Sequence, residues 1–520
     1  MHIIDILEFV IYMAAMLGVG YYFMKKNKSA DDYYVGSRSM GSWHIGLSVV
    51  ATDVGGGFSI GLGGLGFVMG ISGSWMLFTG LIGAWLSAVI LIPKIQRLPF
   101  FKKLYTFPQI FGYFYDKKVA LVAGIISAIG YTGFTSSQIL AGAKLASASF
   151  ISLDMQTALI IMGSIVMIYT SLGGIKAVIY TDTVQWIILM SGLIFIGLPM
   201  AWFAIGGLDL SPIWTHSRDL VSNLPVLTDS LNMQKVASPL SDTISSSIGV
   251  ISHPKVPAEM LSFRNLSWQN IVNWSFTIIP IWFVGMTLYQ RIYACKDEKT
   301  AKKAWFIAGI FEWPLMAIMG VMLGLFARVA ADQGMFAYLG YATAENLDPE
   351  KGLPLLLRTI LPVGLMGLMM SAYFSAIMST ADSCLMAASG NILTDILDPI
   401  FHIGHTSKNF LRISQWFTLF IGILALLLAS MMHNVLQLML YSYAFMVSGL
   451  LVPILGALFW KKSSSIAAFW SMMLGGSTTL ILIALDLKLP FGLDANIFGI
   501  SVSFICFVTL SLMFPKKPKN

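Results

Sequence analysis

WHIGLSVVATDVGGGFSIGLGGLGFVMG, residues 43–70, is an apolar stretch that is long enough to cross a lipid bilayer. It nevertheless contains Asp53 and seven glycines between Gly55 and Gly66. Glycine destabilises a helix, and a buried carboxylate at membrane depth costs several kcal/mol unless it is satisfied. Both features are explained if the helix unwinds beside a hydrated site, because irregular backbone at that depth occurs where it lines a cavity. Close helix packing would explain the glycines alone, but Asp53 among them favours a site.

The composition of the whole chain indicates a membrane protein. Of 520 residues, 57% are hydrophobic and only 11% are charged, so the apolar surface exceeds what an aqueous core can bury. The net charge of +7 does not predict a nucleic-acid partner, because the basic residues occur in short segments between apolar runs. The three cysteines show no CxxC spacing, and we expect neither disulfides nor thiolate metal sites.

Thirteen apolar stretches predict an all-α polytopic protein with about 13 transmembrane helices. Lysine and arginine concentrate in alternate connecting segments, which is typical of cytoplasmic loops. This pattern predicts a multi-pass protein of the plasma (inner) membrane, with the N-terminus outside and the C-terminus cytoplasmic. The stretches lie near residues 3–25, 43–70, 74–96, 118–147, 155–175, 178–204, 269–292, 303–330, 361–394, 410–432, 434–460, 464–485 and 495–514.

A second interrupted segment, residues 269–292, follows five helices after the first and contains Pro280 and Gly285. Two interrupted segments at matching places in two halves are typical of inverted-repeat transporters. We therefore predict a 5+5 repeat within a longer chain. Its parts are a leading helix and cytoplasmic loop (1–42), a first repeat (43–204), an extracellular loop (205–268), a second repeat (269–460) that includes extracellular loop 331–360, and two closing helices with a cytoplasmic tail (461–520).

The stretch SAIMSTADS, residues 375–383, lies within the apolar segment 361–394. Its residues Ala376, Ser379, Thr380 and Ser383 share one helix face, since their spacing is i, i+3, i+4, i+7. Two hydroxyls together with carbonyls of a neighbouring unwound helix would suit a hard cation, which prefers oxygen ligands. Such hydroxyls also commonly bond to their own helix. Asp382 in the same stretch favours a cation, a proton or a charged partner.

Two further acidic residues lie in or near apolar segments. Asp182 could cap a helix or face the interior of the bundle. For Glu312 we expect a structural pair with a nearby basic side chain, or a kink with Pro314.

These motifs resemble the sodium/solute symporter family, whose fold is the inverted-repeat type named after the LeuT transporter. The resemblance runs through most of the chain in order. It is carried by ATDVGGG (51–57), AGAK (141–144), GGIKAVIYTDTVQ (173–185), YQRIYACK (289–296), SAIMSTADS (375–383) and Pro453 to Trp460.

The resemblance implies a principal sodium site and a possible second one. The principal site would use backbone carbonyls of three residues and hydroxyls of two, namely Ala51, Val54, Ala376, Ser379 and Thr380. A second sodium would be bound by Asp182, Ser379, Asp382 and Ser383. Asp382 departs from the serine that is usual in the family at that position.

The resemblance is less specific for the solute. The sodium/proline symporters imply a pocket formed by Asp53, Gly56, Phe58, Phe134, Ser137 and Trp282. Residues 54–57 and 381–383 are also similar to the high-affinity choline transporters, but the two tryptophans expected of those proteins are replaced here by Asp53 and Gly285.

We therefore expect a sodium-coupled carrier that works as a monomer in the lipid bilayer, needs no cofactor beyond Na+ as coupling ion, and takes up a small organic solute. That solute would be an amino acid such as proline or a similar metabolite. Two alternatives remain, namely a proton-coupled carrier that uses Asp53 or Asp382 and a solute-sensing receptor of the same fold. An enzyme is not expected, since the seven histidines form no HExxH or similar pattern.

Overall fold

The computed structural model describes residues 2–26, 35–150, 153–173, 175–207, 256–401 and 408–515. Helices dominate these ranges, and no strand occurs in them apart from an isolated bridge between Met40 and Cys295. The described chain is therefore all-α. Residues 208–255 of the predicted loop 205–268 and residues 516–520 of the predicted tail lie outside the described residues.

The described residues up to Gly207 form nine α-helices. Short π-helical turns, Ser87–Leu91 and Leu193–Gly197, join two pairs of them into longer segments. The helices are α1 (Ile3–Lys26), α2 (Ser42–Met69), α3 (Trp75–Leu86), α4 (Ile92–Gln96), α5 (Pro108–Phe114), α6 (Lys117–Ser149), α7 (Met155–Gly173), α8 (Ile175–Gly192) and α9 (Leu198–Ala204).

The described residues from Val256 onward form eleven more α-helices. The π-helical turns Phe311–Met316 and Ile392–Leu397 again join neighbouring helices. The helices are α10 (Trp268–Val284), α11 (Met286–Ala294), α12 (Glu298–Ile310), α13 (Ala317–Asp332), α14 (Pro349–Ile360), α15 (Leu365–Asn391), α16 (Asp398–Phe401), α17 (Lys408–Ser430), α18 (Val435–Phe459), α19 (Ser465–Ala484) and α20 (Ala495–Met513).

Each of the thirteen apolar stretches coincides with one of these helices or with a joined set of them. By length and hydropathy, nine helices in the described ranges could cross a membrane, or ten if the bent pair α10 and α11 is one span. The bend between α10 and α11 is 41° and falls at Gly285, as the sequence predicts. The full count of thirteen spans and the 5+5 repeat remain predictions.

Polar side chains fix the beginnings of several helices. Asp116 accepts hydrogen bonds from the backbone N–H groups of Lys118 and Val119 at the start of α6. Asp297 accepts one from Thr300 at the start of α12, and this hydrogen bonding lowers the pKa of Asp297. Because such caps satisfy orphan backbone donors, the turns before these helices are firmly placed.

The connecting segments gather at two opposite ends of the bundle. At one end, Arg97 pairs with Glu298 and Arg38 donates to the carbonyl of Leu104; we call this the basic end. At the other, α14 packs against α2, α6 and α13, and we call that helix the lid. The α1 helix docks against the start of α15, where Asp5 accepts hydrogen bonds from the backbone N–H groups of Gly364 and Gly367.

A buried charge cluster holds the lid. Lys144 on α6 donates to Asp348 at 2.7 Å and to Glu350 at 2.6 Å. Glu350 also accepts from the backbone N–H groups of Val435 and Leu436, at the N-terminus of α18. A carboxylate is favoured there, because the first N–H groups of a helix have no partner within it.

Candidate cation and solute site

The broken helix predicted around Asp53 is present, and the break falls at Gly55. Gly55 has φ 30° and ψ −160°, which an L side chain rarely adopts. A Cβ atom there would lie 2.3 Å from the Thr380 hydroxyl. Only glycine therefore allows α2 to bend at this point and α15 to approach it so closely.

Gln138 on α6 satisfies the backbone at the break. Its Oε1 accepts from the Gly56 N–H at 2.7 Å, and its Nε2 donates to the Ser137 hydroxyl at 3.1 Å. An unpaired N–H at this depth would cost about 1–3 kcal/mol. The sequence analysis did not identify Gln138, although an amide side chain within an apolar helix was the signal that could have found it.

Oxygen atoms of α2 and α15 meet beside the break. The Thr380 hydroxyl lies 3.0 Å from the carbonyl oxygen of Ala51 and 3.4 Å from that of Ala376. The Ser379 hydroxyl lies 3.3 Å from the same Ala376 carbonyl. Four of the five predicted principal sodium ligands are thus brought together. The fifth, the backbone carbonyl of Val54, stays a prediction. A small cavity touches Ala51, Ala376 and Ser379.

A fully buried arginine lies at the predicted second cation site. The Arg291 Nη2 atom is 3.0 Å from the Asp182 carboxylate and 3.0 Å from the Ser383 hydroxyl. The same guanidinium donates to the hydroxyls of Ser48 and Thr52. The positive charge beside Asp182 and Ser383 is therefore supplied by a side chain of the protein itself. Arg291 belongs to the motif YQRIYACK (289–296), but its sequence neighbours do not reveal this position.

Asp382 has a different partner. It accepts a hydrogen bond from the Thr170 hydroxyl on α7 at 2.5 Å and is buried. The structure thus places Asp382 against Thr170, while Asp182 and Ser383 contact Arg291. These positions do not test whether a second sodium binds.

Most of the predicted solute residues in the described part of the chain come together around Asp53. The Tyr443 hydroxyl on α18 lies 3.4 Å from Asp53, and the Phe134 ring packs edge-on against the Tyr443 ring. Ser137 follows one turn further along α6. Tyr443 is an additional member that the sequence analysis missed, since one tyrosine in an apolar helix carries no distinguishing pattern.

The other two residues predicted for the solute pocket are Trp282 and Phe58. Trp282 is fully buried and packs edge-on against Trp305 and into the space left by Gly83 on α3. The side chain of Phe58 lies outside the described residues, so its predicted place in the pocket stays a prediction.

For Glu312, the expected pair with a basic side chain is wrong, while the expected kink with Pro314 is present. Lys302 pairs with Glu298, Arg328 pairs with Asp332, and Lys303 is exposed, whereas Glu312 is buried. The expected kink is present: the π-helical turn Phe311–Met316 contains Pro314, and Trp313 has φ −138° and ψ 129°. Glu312 itself is fully buried, and its carboxyl group interacts with that of Asp53.

A family comparison identifies the type of protein that carries this site. The model of the sodium:solute symporter family matches residues 33–475. This chain belongs to the sodium:solute symporter family. Members of this family are transporters and not enzymes, and sodium is their coupling ion.

Known family members match along nearly the whole chain. The osmoregulated proline transporter OpuE of Bacillus subtilis is 26% identical over 523 residues, covering 99% of this chain and 95% of the relative. The sodium/glucose cotransporter of Vibrio parahaemolyticus is 25% identical and covers 98% of this chain and 90% of the relative.

A solved structure supports the fold. A substrate-bound, outward-open Na+-coupled sialic acid symporter superposes with a TM-score of 0.73 at 20% identity, covering 99% of both chains. At this identity the likeness concerns the fold alone.

Proposed function

We propose that this chain couples inward sodium movement to the uptake of a small organic solute by alternating access. The single observation that carries the proposal is the meeting of Ala51, Ala376, Ser379 and Thr380 oxygens beside the break at Gly55. Together with the Val54 carbonyl, these neutral oxygens fit a hard monovalent cation without adding negative charge. The solute, an amino acid such as proline or a similar small metabolite, would bind on the other side of the break, beside Asp53.

Sodium would join two elements that already pack closely together at Gly55 and Gly56. Its binding energy would favour the arrangement in which α2 and α15 are close, and the solute site beside it would be completed. The membrane potential drives sodium inward with roughly 2.3 kcal/mol per charge per 100 mV. Uphill uptake of the solute follows from this coupling.

The positive-inside pattern supports a proposed orientation of the chain in the membrane. We assign the basic end to the cytoplasm and the lid to the outside, so the N-terminus is outside and the C-terminus inside. Five helices from residue 43 and five from residue 269 would form the inverted repeat, with residues 1–42 and 461–520 as additions. We further propose a monomer in the plasma (inner) membrane.

The buried Arg291 side chain is relevant to the number of sodium ions bound in each transport cycle. Because Arg291 already supplies the positive charge beside Asp182 and Ser383, we propose one sodium per transport cycle, bound at the principal site. Asp382, bonded to Thr170, would then be a structural residue.

Replacing one hydroxyl tests the sodium site. Ser379→Ala is expected to raise the sodium concentration for half-maximal thermal stabilisation about tenfold, because one of five ligands is lost. The readout is the melting temperature of purified protein titrated with NaCl at constant ionic strength in KCl.

Ser389 on the same helix offers a matched control. Ser379 and Ser389 each donate to the carbonyl three residues earlier at 3.3 Å, and both are 2% exposed. Ser389→Ala should leave the sodium titration unchanged. An equal shift in both variants would contradict the site, and equal melting of the unaltered protein in sodium and potassium would contradict sodium binding altogether.

A further inference from the structure

A larger cavity lies at the basic end of the bundle, away from the candidate cation and solute site. Its volume is about 800 Å³, and it lies between the start of α6 and the π-helical turn that follows α15. None of the residues that line it lines the small cavity beside Ala51 and Ser379. The two cavities are therefore separate, and the cation site does not account for this one.

Three lysines line this cavity, namely Lys103, Lys117 and Lys118. Within the residues that the structure describes, none of their ammonium groups forms an ion pair or donates a hydrogen bond. A single exposed lysine is ordinarily solvated by water. Several on one concave surface add their fields, because the walls of a cleft focus the potential of the charges that line it. The cavity therefore attracts anions.

Two acidic residues also line the cavity, but they do not neutralise the lysines. Asp395 is buried in the π-helical turn, and its Oδ1 atom accepts a hydrogen bond from the Thr106 hydroxyl at 2.7 Å. Asp398 begins α16. In the described part of the chain, no lysine of the cavity lies within ion-pair distance of either carboxylate. The three ammonium groups thus remain available to an anion from outside the protein.

The same cavity has an apolar and aromatic rim. Tyr113 on α5 lines it and is half exposed, and its ring stacks on the Phe100 ring at a centroid distance of 4.0 Å. Ile400 on α16 also lines it, and both Ile400 and the adjacent Phe401 are exposed. Tyrosine is typical of the boundary between lipid and water. Exposed aliphatic and phenyl groups beside it suit contact with acyl chains.

We infer that this cavity binds an anionic phospholipid. The phosphate lies among Lys103, Lys117 and Lys118, and the acyl chains lie along Ile400 and Phe401. A soluble anion would use the lysines alone, whereas a lipid also covers the apolar rim. Basic pockets between transmembrane helices are known to hold anionic lipid headgroups in this way. The bound lipid connects the start of α6 with the end of α15, and its binding does not depend on the proposed sodium coupling.

Lipids with the same acyl chains test whether the charge of the headgroup is recognised. Delipidated protein in a neutral detergent and KCl is titrated with dioctanoyl-phosphatidylglycerol or dioctanoyl-phosphatidylcholine, and its melting temperature is measured. We expect saturable stabilisation by the anionic lipid and much less by the zwitterionic one. Inorganic phosphate and glycerol 3-phosphate are tested at the same concentrations. Equal effects of the two lipids, or an effect of either soluble anion that matches phosphatidylglycerol, would overturn the inference.

Removing the lysine charges tests the position of the site. A triple variant should raise the phosphatidylglycerol concentration for half-maximal stabilisation at least tenfold, because each lysine near a membrane surface adds to the attraction of anionic lipid. Its changes are Lys103→Gln, Lys117→Gln and Lys118→Gln. The control variant loses the same charge at three exposed positions outside the cavity, around the start of α12, by Lys296→Gln, Lys299→Gln and Lys303→Gln. An equal shift in both variants would mean attraction to the whole basic end and would refute the site.

Native mass spectrometry provides a count that does not depend on melting. The protein is released from nanodiscs that contain equal amounts of phosphatidylglycerol and phosphatidylcholine. We expect the unaltered protein and the control variant to retain one more phosphatidylglycerol than the triple variant does. The same number in all three would contradict a lipid bound in this cavity. Should the triple variant not fold, the comparison of the two lipids on the unaltered protein and the single variant Lys118→Gln still decide the question.

Discussion

Two acidic centres lie within the same helical bundle, and their surroundings are opposite. Asp182 is fully buried against Arg291, whose guanidinium also donates to Ser48, Thr52 and Ser383. Asp53 is buried against another carboxylate, Glu312, with one long hydrogen bond from Tyr443. The first centre is an ion pair formed by the protein itself, while the described residues place no cation beside the second.

Breaking the neutralised centre should have the largest effect on stability. Arg291→Met leaves the Asp182 carboxylate buried without a cation, which typically costs about 3–5 kcal/mol. We expect a marked fall in the melting temperature of the purified protein. The double variant Asp182→Asn, Arg291→Met removes both charges and should recover more than half of that loss. A double variant as unstable as the single one would show that the hydrogen bonds of Arg291, and not its charge, stabilise the bundle.

Removing the acidic group of Glu312 should not lower the melting temperature, in contrast to Arg291→Met. Glu312→Gln removes an acidic group that is buried without a cation and keeps a side chain able to donate a hydrogen bond, so without solute it should melt at the same temperature as the unaltered protein or higher, by an amount worth about 1 kcal/mol. Asp182→Asn, measured beside it, should melt lower. If Glu312→Gln were destabilised as strongly as Asp182→Asn, the two centres would not differ in the way described.

A solvent-exposed ion pair should have the smallest effect on stability. Arg97 and Glu298 form a salt bridge at the basic end, where the Arg97 side chain is 72% exposed. Solvent and salt screen such pairs. Arg97→Gln should therefore leave the melting temperature unchanged within error at 150 mM salt. A loss similar to that of Arg291→Met would mean that charge count, and not burial, controls stability in this bundle.

Much of the fold can be predicted from the sequence, because lipid imposes a simple rule on it. Each stretch of about twenty apolar residues has to be helical, since backbone polar groups find no water in the bilayer core. The helical segments accordingly lie where hydropathy predicts them, and the breaks fall at Gly55 and Gly285. The π-helical turns were not predicted, because their extra residue per turn leaves hydropathy unchanged.

The candidate site was predictable only in part. Asp53, Ser379 and Thr380 could be identified because polar groups inside apolar segments are conspicuous. Their partners Gln138, Arg291, Glu312 and Tyr443 come from helices far away in the sequence, so their proximity depends on packing that periodicity does not reveal. Glu312 illustrates this limit: its sequence neighbours suggested a pair with a basic side chain, but the bend at Phe311–Met316 places it beside Asp53.

The lid described above has a consequence for α18. Glu350 is at once the ion-pair partner of Lys144 and the acceptor for two backbone N–H groups of α18. A movement that lifts the lid must break these contacts together, because a single carboxylate makes all of them. Any displacement of α14 from α18 therefore also exposes the N-terminal N–H groups of α18, which links the position of the lid to the capping of that helix.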